Sequence, residues 1–262
     1  MTLKRALIAL AALAAGATAP AQTLESVSLL PSHGGAQLPV LFGHDASVPP
    51  RVAAVLFNGG QGVVGLQKRI PTPGANFLVR TRSEFNRLGV ATAVIDVPTD
   101  QAGMNDPYRM SERHAEDVRR VVAALREQHP ALPVYLIGTS RGTVSAAYAG
   151  AALGAAVDGV VLTSSVIAAN RANPGLVGFD WRRITARLLF VHHRDDACNV
   201  TPYAELRRVT PGQQLISVHG GEPARSEPCE AFSAHGYLGV EGPVVAAIVQ
   251  WMLGQPIPAE LP

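Results

Sequence analysis

The sequence predicts an α/β protein in which a mostly parallel central sheet carries helices on both faces, with no large lid domain. Three observations predict it. Short runs rich in Val, Ile and Leu alternate along the chain with longer helix-like stretches. Hydrophobic residues make up 47% of the 262 residues and charged residues 16%, which supplies a two-sided core and is not the composition of a disordered chain. The length after a leader suits one large α/β domain, over residues 22–262, and is short for two.

Each element can be justified in order. Leu24 to Leu30 and Val40 to Phe42 read as short early strands, and Val52 to Phe57 as a buried strand ending at Asn58-Gly59-Gly60. Phe77 to Leu88 reads as a helix and Val90 to Val97 as the next strand. Ser111 can cap a helix that runs to about His129 with Val118, Val121, Val122 and Leu125 on one face. Val134 to Ile137 is a strand, and Gly142 to Ala152 a helix of small residues. Gly159 to Thr163 and Arg187 to His192 are strands, and Thr201-Pro202 resembles a helix start. Gln214 to Val218 reads as the last strand and Val244 to Leu253 as the last helix. The connection from Ser164 to Ala186 is too short for a separate lid domain.

The first 21 residues stand apart. Lys4 and Arg5 precede an apolar run from Ala6 to Ala15, and Ala19-Pro20-Ala21 places small residues where a signal peptidase reads. The expectation is a signal peptide cleaved after Ala21 and an exported, periplasmic or extracellular protein without a stable membrane anchor. The run falls well short of the roughly 20 residues a bilayer needs. An exported chain with two cysteines, Cys198 and Cys229, suggests a disulfide. The formal net charge of +2, with both signs scattered, offers no basic face for nucleic acid.

The chemistry is carried by Gly138-Thr139-Ser140-Arg141-Gly142, a G-x-S-x-G pattern lying between a strand and a helix. A serine forced into so sharp a turn needs neighbours without side chains, which Gly138 and Gly142 provide. Its hydroxyl then stands at the sheet's carboxyl edge and at a helix N-terminus, where negative charge is favoured.

This strand, elbow and helix resemble the α/β-hydrolase superfamily, and the resemblance covers most of the chain after residue 21. It implies a chain order of Ser, then Asp or Glu, then His. The segment from Leu188 to Asp196 resembles the superfamily's late V-H-G-x-x-D stretch, with His193 in place of the Gly. It implies Asp196 as the triad acid, with Asp195 as the alternative. His235, before the last helix, matches the superfamily's histidine, and His219 is its competitor. Asn58-Gly59-Gly60-Gln61-Gly62 resembles the oxyanion loop, with Asn58 for the usual His. On that resemblance the amide of Gly60, or of Gln61, pairs with the amide of Arg141. The Arg141 side chain is expected to meet a nearby acid, on the Ser164 to Ala186 segment, with an anionic substrate group as the other reading.

The expected activity is cleavage of a carboxylic ester in a small-molecule substrate through an acyl-enzyme, with no cofactor and no metal. A nucleophile that is Ser, not Asp or Cys, disfavours dehalogenase, epoxide-hydrolase and dienelactone-hydrolase chemistry. Peptidase or acyltransferase activity shares the same residues. A non-catalytic binding protein with this fold would show damage to a triad member, and none is visible. Cys198 follows Asp196 and Cys229 precedes His235, so a bridge would tie the acid loop to the histidine loop.

Overall fold

Successive side chains of a strand point to opposite faces, so a strand apolar at every position has to be covered twice. Val52–Phe57 (β3), Val90–Ile95 (β4), Val134–Thr139 (β5) and Gly159–Thr163 (β6) are buried along their whole length. The structure, a computed structural model, describes residues 22–71, 76–170 and 173–262; the expected signal peptide lies outside the described residues.

Around those four strands the sheet is completed by Thr23–Pro31 (β1), Gln37–Asp45 (β2), Arg187–His193 (β7), Gln214–Val218 (β8) and Glu260–Leu261 (β9). The strand order is β1-β2-β4-β3-β5-β6-β7-β8-β9. Strands β1 and β2 pair antiparallel along their full length, and β2 is antiparallel to β4. All other neighbours are parallel.

The helices are Phe77–Arg87 (α1), Asp106–Arg109 (α2), Glu112–Gln128 (α3), Gly142–Leu153 (α4), Tyr203–Val209 (α5) and Glu241–Met252 (α6). Two apolar layers flank the sheet. On one face Ala53, Val55 and Phe57 share a cluster with Val118, Val121 and Leu125 of α3 and Val144 of α4. On the other, Val52, Ala54 and Leu56 share one with Phe77 and Phe85 of α1 and Val244 and Ile248 of α6. Each fully buried Val, Leu or Phe in these layers contributes roughly 1.5–3 kcal/mol. Ser111 caps α3 by accepting the His114 amide, as its position predicts.

The differences from expectation are local. Strand β5 runs two residues further, because Gly138 and Thr139 still pair with Leu162 and Thr163. Strand β4 ends at Ile95, where the Asp96 carboxylate turns to accept the amides of Val64, Gly65 and Leu66. The last strand is β9, not Gln214–Val218; its two residues are too few to show a period. Helix α2 is a single turn and was not expected. The 164–186 connection folds back on the domain, with Phe179 packed on Tyr148 and Trp181.

The parallel order reverses direction at β3, with β4 on one side and β5 on the other. In open α/β sheets, ligand sites form beyond the strand carboxyl ends at such a switch point. The loop after β3 and the turn after β5 meet there.

Candidate active site

The turn after β5 is sterically tight. Ser140 has φ 52°, a left-handed conformation that costs a side-chain-bearing residue roughly 1–2 kcal/mol. The surroundings hold it there. Ser140 N donates to Thr163 O at 3.0 Å, and Ser140 O accepts both the amide and the hydroxyl of Thr143, at 2.9 and 2.6 Å. A Cβ at Gly138 would lie 2.3 Å from Gly142 O, and one at Gly142 would lie 2.1 Å from Phe57 O. Both glycines are therefore required by close backbone approach. The second contact also brings the start of α4 against the end of β3.

The loop after β3 abuts the serine. A Cβ at Gly59 would meet Ser140 Cβ at 3.1 Å and Thr139 O at 3.3 Å. Among the described residues the amides of Gly60, Gln61 and Arg141 donate to no acceptor. Unpaired donors of this kind, beside a serine at a helix N-terminus, are suited to hold a negative oxygen.

The late-chain residues gather at the ends of β6 and β7. His235 Nδ1 lies 2.9 Å from Asp196 Oδ2. The same oxygen accepts the Thr201 hydroxyl at 2.8 Å, while Asp196 Oδ1 accepts the Cys198 amide at 3.0 Å. Burial would raise the Asp196 carboxyl, but the hydrogen bond and charge of His235, with the Cys198 amide, hold it below the ordinary 3.8. His235 Nε2 is buried and has no hydrogen-bond partner among the described residues. The histidine is fixed through its backbone: Ser164 Oγ donates to His235 O at 2.8 Å. Ser164 in turn follows Thr163, the residue that pairs with Thr139 and receives the Ser140 amide.

The competitors lie elsewhere. The Asp195 carboxylate is exposed to solvent and lies 4.0 Å from His193 Nδ1. The His219 amide is bonded to Leu261 O, so the chain there continues the β8–β9 pairing. His192 is fully buried, with Nε2 2.7 Å from Thr201 O; burial lowers its pKa to about 4, so it is neutral. Cys198 and Cys229 are disulfide-bonded. Asp196, Cys198 and His235 cluster within 4.8 Å, but the sulfur is committed to the bridge and the two other side chains bond each other.

The Arg141 side chain finds an acid, though not on the expected segment. Its Nη2 lies 2.8 Å from Asp106 Oδ1, and its Nε 3.2 Å from the same oxygen. Asp106 lies on α2, a turn with no periodic pattern to mark it; Asn173, from the 164–186 connection, supplies a further acceptor. Three residues escaped the sequence reading. Thr201 supports the acid, whereas the sequence marked it only as a helix start. Tyr237 accepts the Ser164 amide at 3.0 Å and donates to Val191 O at 2.7 Å, pinning the histidine turn to β6 and β7. Arg109, wholly buried, bonds Gly60 O at 3.1 Å. Nothing in a single sequence distinguishes these side chains from surface ones.

A cavity of about 410 Å³ is lined by Arg141, which follows the serine in the chain, by Gln61 of the β3 loop and by residues such as Met104, Asn105 and Asn173. A larger one of about 560 Å³, between residues 176–182 and 205–213, contains none of the candidate residues.

Residues 84–205 match a family model described as serine aminopeptidase, S33. A search of curated proteins finds no match to this sequence. Among solved structures, a lidless α/β serine hydrolase from Xanthomonas campestris is similar with a TM-score of 0.58 and 15% identity over 88% of this chain and 94% of that one. A highly thermostable carboxyl esterase from Bacillus coagulans gives 0.59 and 12% over 88% and 98%. A protein of Butyrivibrio proteoclasticus with ferulic acid bound gives 0.60 and 14% over 87% and 98%. At these identities the likeness is one of fold.

Proposed function

We propose that this chain is an exported serine hydrolase of the α/β-hydrolase superfamily that cleaves carboxylic esters, a reading supported by its fold and by the family model matched across residues 84–205. The observation that carries this reading is Ser140 in a left-handed turn, between two glycines at which a Cβ would collide with backbone, at the sheet edge where Asp196 and His235 are paired.

On this reading His235 Nε2 takes the proton as Ser140 Oγ attacks the carbonyl carbon. Asp196 holds the other ring nitrogen and stabilises the imidazolium. The carbonyl oxygen, now an anion, is held by the Arg141 amide and an amide of the Gly60-Gln61 pair. His235 then gives its proton to the leaving alcohol, which departs and leaves an acyl-enzyme. Water, deprotonated by His235, releases the acid. Each oxyanion donor is worth on the order of 10²–10³ in rate.

The matched family's description favours a second reading, cleavage of aminoacyl bonds. An aminopeptidase needs an anion for the substrate's terminal ammonium. The cavity lined by Arg141 presents that guanidinium, paired with Asp106, together with Gln61, Asn105 and Asn173, and its lining includes no carboxylate among the described residues. That chemistry supports the ester. The Cys198–Cys229 bridge supports an oxidising destination, consistent with the leader-like first 21 residues. Hydrolysis of a p-nitrophenyl ester panel set beside aminoacyl p-nitroanilides tests both readings. The proposal expects ester turnover lost by at least about 10³-fold in Ser140→Ala. Turnover of the anilides alone would replace it with the peptidase reading, and no Ser140-dependent turnover of either would defeat both.

A further inference from the structure

A guanidinium in the interior is costly unless its hydrogens are satisfied and its charge is used. Arg109 is 1% exposed. Its Nη1 donates to Ser145 Oγ at 2.8 Å, its Nε to Met104 O at 3.2 Å and its Nη2 to Gly60 O at 3.1 Å. All three acceptors are uncharged. The nearby carboxylate of Asp106 gives one oxygen to Arg141 and the other to the Gly175 amide. Two cations thus share one anion beneath the β3 loop. Burial, and then Arg141, lower the Arg109 pKa to about 9, which leaves it charged at neutral pH.

The bond to Gly60 O has a geometric consequence. Gly60 C=O and Gln61 N–H belong to one planar trans peptide, so they point in opposite directions. With the carbonyl turned to the buried guanidinium, the Gln61 N–H is turned away from it, and it has no acceptor among the described residues. A cation on the carbonyl also polarises the peptide and strengthens its N–H as a donor. The loop is held firmly in that attitude. Met104 N donates to Gln61 O at 2.7 Å, and a Cβ at Gly62 would sit 3.0 Å from Arg109 Nη2.

We propose that Arg109 is a positioning residue that fixes and polarises the Gly60-Gln61 peptide, making the Gln61 amide the oxyanion donor contributed by this loop. The inference rests on the hydrolase reading above and deepens it by choosing between the two candidate amides. A residue of this kind acts on the charged transition state and leaves ground-state binding alone.

The test uses the full chain with a p-nitrophenyl ester and a boronic acid, which binds serine hydrolases as a tetrahedral anion. Arg109→Met is expected to lower kcat by about 10²-fold, leave KM within about twofold and weaken the boronate by a factor similar to the kcat loss. Arg109→Lys, which keeps the charge, is expected to recover part of the kcat. Ser145→Ala, which frees one anchor of the guanidinium, should lower kcat about threefold to tenfold, again at constant KM, and decides the matter if Arg109→Met does not fold. Wild-type hydrolysis that depends on Ser140, with kcat and boronate affinity unchanged in the folded variants, overturns the inference and leaves the hydrolase reading standing. A wild-type chain without Ser140-dependent hydrolysis overturns both.

Discussion

Replacing Cys198 and Cys229 together with serine is expected to lower both stability and turnover, for separable reasons. The bridge closes a loop with a sequence separation of 31. In the chain-entropy account a loop of that length restricts the unfolded chain by ~4 kcal/mol. For a domain of this size each kcal/mol shifts Tm by roughly 2–4 °C, so the double variant should melt roughly 8–16 °C lower. The second effect is local. The Cys198 amide donates to Asp196 Oδ1, and Cys229 lies on the loop that leads to His235. Freeing one loop from the other loosens the Asp196–His235 pair, and a loss of about 1.4 kcal/mol in its alignment is tenfold in rate. Differential scanning calorimetry measures the first effect. Ester kinetics well below the lowered Tm measure the second. Cys229 is exposed, so reductant applied to the wild type should reproduce both. A melting temperature within about 2 °C of wild type would refute the entropic argument. A large Tm loss with unaltered kcat/KM would refute the claim that the bridge aligns the site.

Further predictions concern the elbow and the buried histidines. Gly142→Ala drives a methyl into Phe57 O at 2.1 Å, so the turn has to shift, and a displacement near 1 Å is expected to lower kcat/KM about 10²-fold or more. Gly242→Ala, on a helix with open space around it, is the control and should leave kcat/KM and Tm close to wild type. His114 and His192 are fully buried, and burial chiefly depresses them from the ordinary 6.5 to about 3 and about 4. Their unfolded forms bind protons first, so the stability they confer is complete above about 6.5 and is lost as pH falls toward 4. The loss approaches roughly 1.4 kcal/mol per pH unit for each histidine. Urea midpoints at pH 7 and pH 5 should differ accordingly, and His114→Phe should reduce the difference; a flat profile over that interval contradicts the assignment.

What the sequence discloses about this fold follows from which interactions are local. The elbow is legible because backbone crowding at Gly138 and Gly142 permits only glycine, and the constraint lies within five residues. The central strands are legible because burial on both faces leaves them apolar throughout. Helix α3 announces itself through the spacing of Val118, Val121, Val122 and Leu125 and through its Ser111 cap. Strand β9 and helix α2 are too short to carry a period. Arg109, Thr201 and Tyr237 are invisible for another reason: each is held by partners 34 to 73 positions away, such as Ser145, His235 and Ser164. A buried arginine and a surface arginine have the same letter. The Arg141 partner was expected on the 164–186 connection, but the acid comes from α2, and that connection contributes Asn173 instead.

The account turns on the hydroxyl of Ser140 being made nucleophilic by the residues around it. Incubation of the folded chain with a fluorophosphonate probe, followed by peptide mass mapping, tests that most directly. The account predicts one adduct, on Ser140, formed rapidly in the wild type, sharply slowed in His235→Ala and absent in Ser140→Ala. An adduct at another residue, or labelling indifferent to His235, would contradict it.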